Sequence, residues 1–319
     1  MDDVLCVLAW DIMAVYAEGY IMRTGWIYLL IGCLSVSHVY AGGSSWGTTA
    51  PFCQILDNSP DPACSATLGY TQASRFSGYG KTRIAEFEGS SELGYYRDVL
   101  LGDIDVRLDV DGMLFLGSAD IQLPNQLLAL AADVGWTWRY VNGSALQVRV
   151  APGVYSDIEG LSLGSLAMPI SAAGVMTFNS EVSATVGMQL RPGFDQIFMP
   201  IIGVVWGPAD WIRVEATLPE ARVIGYWNSE WSGHLAWAWE NTTYSIREKG
   251  DYDRKKITLE SYRTTVGVTR TLPGELSVIG EVGMLSNRSV VFKRAAGSMP
   301  RDIDIENALF VRFGLGGSF

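Results

Sequence analysis

The chain has 319 residues, 48% of them apolar and 18% charged, which supplies enough apolar material for a large core and excludes a disordered protein. A formal charge of −11, with basic runs limited to Asp-Arg-Lys-Lys at 253–256, excludes a nucleic-acid partner, because phosphate binding needs a clustered basic surface. The 35 glycines, 11 tryptophans, 14 tyrosines and 11 phenylalanines point to strands and tight turns.

From Met22 the sequence reads as a secretory signal peptide over 22–41. Arg23 supplies the basic start, residues 26–36 the apolar centre, and Val39-Tyr40-Ala41 the small-residue cleavage site. Residues 1–21 carry Asp2, Asp3, Asp11 and Glu18, which fits no signal start, so the reading frame is expected to begin at Met22. Leu30-Ile31-Gly32-Cys33 also matches a lipoprotein cleavage box, which would leave Cys33 lipidated. Residues 42–78 are expected to form an N-terminal periplasmic or mobile segment. Its Cys53 and Cys64 would either close a short disulfide loop in an oxidising compartment or stand as two thiols.

Beyond this segment period two dominates. In 102–112, Ile104, Val106, Leu108 and Val110 share one face, and Asp103, Asp105, Arg107, Asp109 and Asp111 the other. At 130–140 the even positions are apolar, ending in Trp136, Trp138 and Tyr140, whereas Asp133, Thr137 and Arg139 oppose them. The same segregation recurs at 145–150, 210–216, 262–269 and 276–284. The best helix-like window, 126–134, runs straight into a strand pattern. Strands are predicted at 80–93, 101–112, 128–140, 144–155, 179–190, 198–207, 210–217, 221–228, 231–241, 256–271, 274–287 and 304–319, about twelve in all. Residues 160–178, rich in small side chains, read equally as a thirteenth strand, a lumen segment or a long turn.

Short turns at 207–210, 228–232 and 272–275 alternate with long polar links at 241–256 and 287–304, apart from a short link at 217–221. Many alternating strands in a soluble sandwich would need a more charged surface than 18% allows. A membrane barrel puts its apolar face on lipid and collects aromatics at the interfaces. Trp206 and Trp211 around one turn, and Tyr226, Trp227 and Trp231 around the next, fit that arrangement.

With its export signal, its period-two segments and a last strand ending in Phe319, the chain resembles a Gram-negative-type outer-membrane β-barrel. The resemblance implies an all-β fold: a transmembrane antiparallel up-and-down barrel of about 12 strands over 79–319, in contact with outer-membrane lipid. It also implies that Leu309, Val311, Phe313, Leu315 and Phe319 form the signal read by the barrel-assembly machinery, with Gly317 departing from the usual pattern. More narrowly, 194–319 is similar to a bacterial outer-membrane barrel family of unknown function, which adds architecture and no chemistry.

Catalytic chemistry finds little support in the residues. His234 is the one histidine of the exported part, with Ser232 and Glu240 as same-face neighbours, and no accompanying hydrolase motif is present. Gly78-Tyr79-Gly80-Lys81-Thr82 lacks the first glycine of a phosphate loop, residues 105–112 lack the ligands of a calcium loop, and the glycines at 314–317 precede no helix. No cofactor or metal is expected. What remains is a mixed-charge inner face: Asp105, Arg107, Asp109, Asp133, Arg139, Arg149, Arg213, Glu215, Arg222, Glu240, Arg263, Glu281 and Arg312. It reads either as a polar pathway for small solutes or as cross-strand ion pairs filling a narrow barrel. The expectation is a passive channel or structural barrel and no enzyme, with a hydrolase using His234 as the alternative.

Overall fold

Alternation gives each strand one polar or small face and one apolar face, and a sheet can satisfy both only by curling so that one face is enclosed. The computed structural model describes residues 64–117, 123–140, 143–159, 161–247, 254–274, 276–294 and 301–317, and within them the sheet does close. Among the described residues it has 14 strands. They are β1 (Cys64–Arg75), β2 (Lys81–Val99), β3 (Gly102–Leu116), β4 (Gln126–Arg139) and β5, broken into Ala145–Val150 and Gly153–Ser156. Next come β6 (Leu166–Ala167 and Ile170–Thr177), β7 (Val182–Leu190), β8 (Phe198–Ala209), β9 (Ile212–Leu218) and β10 (Glu220–Tyr226). The last four are β11 (Trp231–Ser245), β12 (Arg254–Thr271), β13 (Leu276–Arg294) and β14, broken into Arg301–Ile305 and Ala308–Gly317. Each strand pairs antiparallel with the next, and β14 closes on β1 in register from Cys64↔Gly317 to Thr71↔Phe310.

Two strands exceed the twelve predicted. The barrel begins at Cys64, not near 79, because the inward face of β1 is Ser65, Thr67, Gly69 and Thr71, small hydroxylic positions that read as loop composition. β6 occupies the ambiguous 160–178 stretch, with Ser171, Ala173 and Val175 inward; small residues on both faces hid its period. The helix-like window at 126–134 is β4. Cys53 and Phe319 lie outside the described residues, and Cys64 opens β1.

The apolar faces point outwards. Leu235, Val266, Val282, Leu309, Phe313 and Leu315, on four strands, are each more than half exposed, as are Val186, Met188 and Ile202. A band of this extent is unfavourable in water and favourable in hydrocarbon, where closure also leaves no strand edge unsatisfied. Trp136, Trp138, Tyr140, Trp206, Trp211, Tyr226, Trp227 and Trp231 all fall at the short-turn end, with Trp138 stacked on Tyr140 at 5.3 Å and the Arg270 guanidinium over Trp231 at 5.1 Å. Trp237, stacked on Tyr262 at 5.5 Å, faces outwards nearer the other end.

One irregularity shapes the interior. β9 and β10 are joined by Pro219 alone, so their hairpin ends early: Leu218 faces Ile202 and Glu220 faces Ala238. Above that level β11 has β12 on one side and no hairpin on the other. Its end leans across the barrel until Ser245 pairs in parallel with Ser156 of β5. The 191–197 link fills the gap: the Asp195 amide donates to Thr243 Oγ1 at 3.0 Å, and the Arg191 guanidinium donates to the Asn241 carbonyl.

Below those crossings the long-link end of the barrel is filled with apolar side chains. Phe76, Ile84, Phe115, Leu127, Tyr155, Phe194, Tyr244, Ile257, Val290 and Phe292 form one cluster, and Phe76 and Tyr244 have no exposed surface at all. Among the described residues this cluster occupies the lumen at that end as an apolar plug.

Candidate functional site

Below the plug the inward faces turn from apolar to charged along the same strands: Ile84 gives way to Glu86 and Glu88 on β2, Phe115 and Met113 to Asp111 and Asp109 on β3, and Leu127 to Asp133 on β4. The charges are taken up in ion pairs that cross strands. Arg149 on β5 places Nε 3.1 Å from Asp133 and Nη2 2.7 Å from Asp105. Asp105 belongs to β3, so the second pair passes over β4, at Gly135, which is in register with both residues. A Cβ there would stand 2.7 Å from Arg149 Nη1 and collide with Asp105. Glycine is needed for the close approach, although it weakens a strand interior.

The device recurs. His234 Nε2 and Glu281 Oε1 meet at 3.0 Å across Gly267 of β12, in register with both, and a Cβ at 267 would stand 2.6 Å from Nε2. Arg312 of β14 and Glu86 of β2 face each other across Gly69 of β1, 4.0 Å apart. Arg263 is at the centre: Nη2 lies 2.9 Å from Glu86 Oε2, Nε 2.7 Å from Glu240 Oε1, and its guanidinium stacks on Phe310 at 5.1 Å. Reaching from β12 to β2, it ties together parts of the wall four strands apart. Multiple carboxylate partners are what let a guanidinium sit in so dry a place, since one unpaired would be far too costly.

The residues named from the sequence fall into three groups. Arg107, Asp133, Arg222, Glu240, Arg263, Glu281 and Arg312 line a cavity of about 520 Å³ that runs from Tyr155 and Phe194 under the plug to Thr269, Ser277 and Gly316 near the short turns. Arg213 and Glu215 stand behind it: Glu215 takes Arg213 at 2.8 Å and also contacts Arg222. Arg139 is at the short-turn rim, half-exposed, with Nε 3.3 Å from Asp103, which also accepts the Tyr95 hydroxyl at 2.8 Å. On the closing strand Leu309, Phe313 and Leu315 point outwards and Arg312 inwards. Val311 shares the outward register.

Sequence reasoning missed Glu86 and Glu88, the carboxylates that hold Arg263 and Arg312. Their alternation in Ala85-Glu86-Phe87-Glu88 was the available signal. The hydrolase alternative needs a hydroxyl on His234. Among the described residues the imidazole is hydrogen-bonded to Glu281, and no serine or threonine hydroxyl reaches it. No group of three His, Cys, Asp or Glu side chains among the described residues is placed to hold a metal ion.

No protein-family model and no curated protein matches the chain, so the narrower resemblance drawn over 194–319 gains no support there. Solved structures similar to it are barrels. The KdgM porin is 7% identical, with 79% of this chain and 99% of that one covered and a TM-score of 0.32. An outer-membrane channel of Pseudomonas putida F1 is 10% identical, with coverages of 82% and 98% and a TM-score of 0.41. The toluene transporter TodX of Pseudomonas putida is 10% identical, with coverages of 88% and 96% and a TM-score of 0.33. The chain's own strand order, closure and lipid-compatible outer face give it the architecture of an outer-membrane β-barrel.

Proposed function

We propose that the chain is a passive channel for small polar solutes in a bacterial outer membrane, reached by way of a cleaved signal peptide. The observation that carries this reading is the charged cavity of about 520 Å³ inside a barrel whose outer face suits lipid. A barrel with a purely structural role has no need of polar space within it. The plug marks the closed state, and conduction requires the 191–197 link and the leaning end of β11 to move aside. These are held to each other by two hydrogen bonds, and both contribute side chains, Phe194 and Tyr244, to the plug. Leu309, Val311, Phe313, Leu315 and Phe319 serve on this reading as the address for the assembly machinery.

Purified protein in planar bilayers should give ohmic current steps. Silence across a wide voltage range, for protein whose folding is verified by heat-modifiable gel migration, would leave the second reading, a structural barrel, which the plug favours. Hydrolysis of lipid or peptide that is lost in His234→Ala would overturn both in favour of an enzyme.

A further inference from the structure

Six arginines of the inner face are held by carboxylates and leave two carboxylates over, while the buried Arg191 and Arg288 donate to the Asn241 carbonyl and to Ser74 Oγ and take no carboxylate among the described residues. Arg107 is spent on Asp105, Arg149 on Asp105 and Asp133, Arg213 and Arg222 on Glu215. Arg263 is spent on Glu86 and Glu240, and Arg312 on Glu88 and Glu281. Asp109 and Asp111, two positions apart on the inward face of β3, have no cationic partner; both are more than nine-tenths buried and both line the cavity. Their cross-strand neighbours supply no positive charge either. Asp109 lies between Ser90 and Ala131, and Asp111 between Ala129 and Glu88, a like-charge pair directly opposite in the ladder. Such a juxtaposition is destabilising unless something else offsets it.

The hydrogen bonding has the same deficit. Asp111 accepts the Tyr244 hydroxyl at 3.3 Å, and Asp109 accepts from Ser90 through one oxygen while its Oδ1 takes no donor. Asn241 Oδ1, itself on a side chain more than nine-tenths buried, and Gln189 Oε1 are further acceptors without donors on the same cavity wall. The arginine N–H groups left without acceptors on this cavity belong to Arg107, Arg263 and Arg312, guanidiniums already held by carboxylates, so what the wall around Asp109 and Asp111 still lacks is a ligand that is positively charged and rich in N–H groups. A bare metal ion does not fit, because among the described residues no three carboxylate, imidazole or thiol groups converge.

We infer that Asp109 and Asp111 form the binding point for an organic cation, an ammonium or guanidinium compound, and that the lumen selects such solutes. Resting on the channel reading, this names the class of solute it takes. A carboxylate focus inside low-dielectric walls raises the local concentration of cations and lowers that of anions.

The test uses the full chain in planar bilayers under a potassium chloride gradient, with putrescine and L-arginine as probes. Putrescine binding is followed in parallel through the fluorescence of Trp239, which lines the cavity. Expected are a reversal potential favouring potassium over chloride and block of the current by both probes. In Asp109→Asn/Asp111→Asn, a near-isosteric change, block should weaken roughly tenfold, equivalent to about 1.4 kcal/mol. Conductance with no cation preference, or selectivity and block unchanged in the variant, overturns the assignment while the channel reading stands. A silent protein that binds putrescine saturably, with binding lost in the variant, supports the site while the channel reading fails. Silence without binding overturns both.

Discussion

Replacing Gly135 by alanine tests whether the interior is built from ion pairs that pass over glycine. The new methyl would collide with the Asp105 carboxylate and stand 2.7 Å from Arg149 Nη1, against an ordinary contact of roughly 3.4 Å, so the two partners must part, the guanidinium alone by about 0.7 Å. Its 2.7 Å hydrogen bond to Asp105 then lengthens to about 3.4 Å, beyond useful range, while Asp133, approached from the other side, keeps its hold. Losing a buried, charge-assisted hydrogen bond costs about 1.5–3 kcal/mol, and alanine returns about 0.5–1 kcal/mol through its better strand propensity. The expected net destabilisation is therefore about 0.5–2.5 kcal/mol. Urea unfolding in lipid vesicles, followed by tryptophan fluorescence, measures it. Gly225→Ala is the control, since a Cβ at 225 meets nothing within 4 Å and the change should be neutral or slightly stabilising. In an Asp105→Ala background, which vacates the space, Gly135→Ala should lose most of its cost. Equal stability of the Gly135 and Gly225 variants, or an undiminished cost in the Asp105→Ala background, would refute the reasoning.

Arg263→Met should destabilise by about 3–5 kcal/mol in the same assay, because Glu86 and Glu240 would be left buried without their cation. Leu127→Ala or Phe292→Ala, at plug positions no more than 1% exposed, should cost about 2–5 kcal/mol and raise the open probability in bilayers. A stable variant with unchanged current would mean that the plug does not gate. Gly267→Val should break the His234–Glu281 contact, which NMR of the imidazole would register as loss of the coupling to Glu281. Deleting Phe319 should lower the yield of heat-modifiable protein in the outer-membrane fraction of cells while leaving folding into detergent intact; equal yield would remove its role as an address.

Much of the barrel was legible because a strand writes its two environments at alternate positions. The segregation of Ile104, Val106, Leu108 and Val110 from Asp105, Arg107, Asp109 and Asp111 requires nothing but the pleat, and it placed both the lipid face and the lumen face of β3. The tight turns could be read for the same local reason. β1 and β6 could not, because serine, threonine, glycine and alanine on an inward face look like a loop when the neighbouring strands they pack beneath are unknown.

The sequence by itself determined the fold class, the inward orientation of the charges and the apolar face offered to lipid, since these follow from periodicity along a single strand. Which charge meets which was decided only by the tertiary structure. Register brings Arg149 over Gly135 to Asp105, closure brings Arg263 to Glu86, and a hairpin cut short at Pro219 lets β11 lean inwards and carry Tyr244 into the plug. Those outcomes depend on neighbours 44 and 177 residues apart in the chain, a separation at which no local pattern carries information. For the same reason the two aspartates without an ion-pair partner, Asp109 and Asp111, become visible only after the cross-strand ion pairs have been matched.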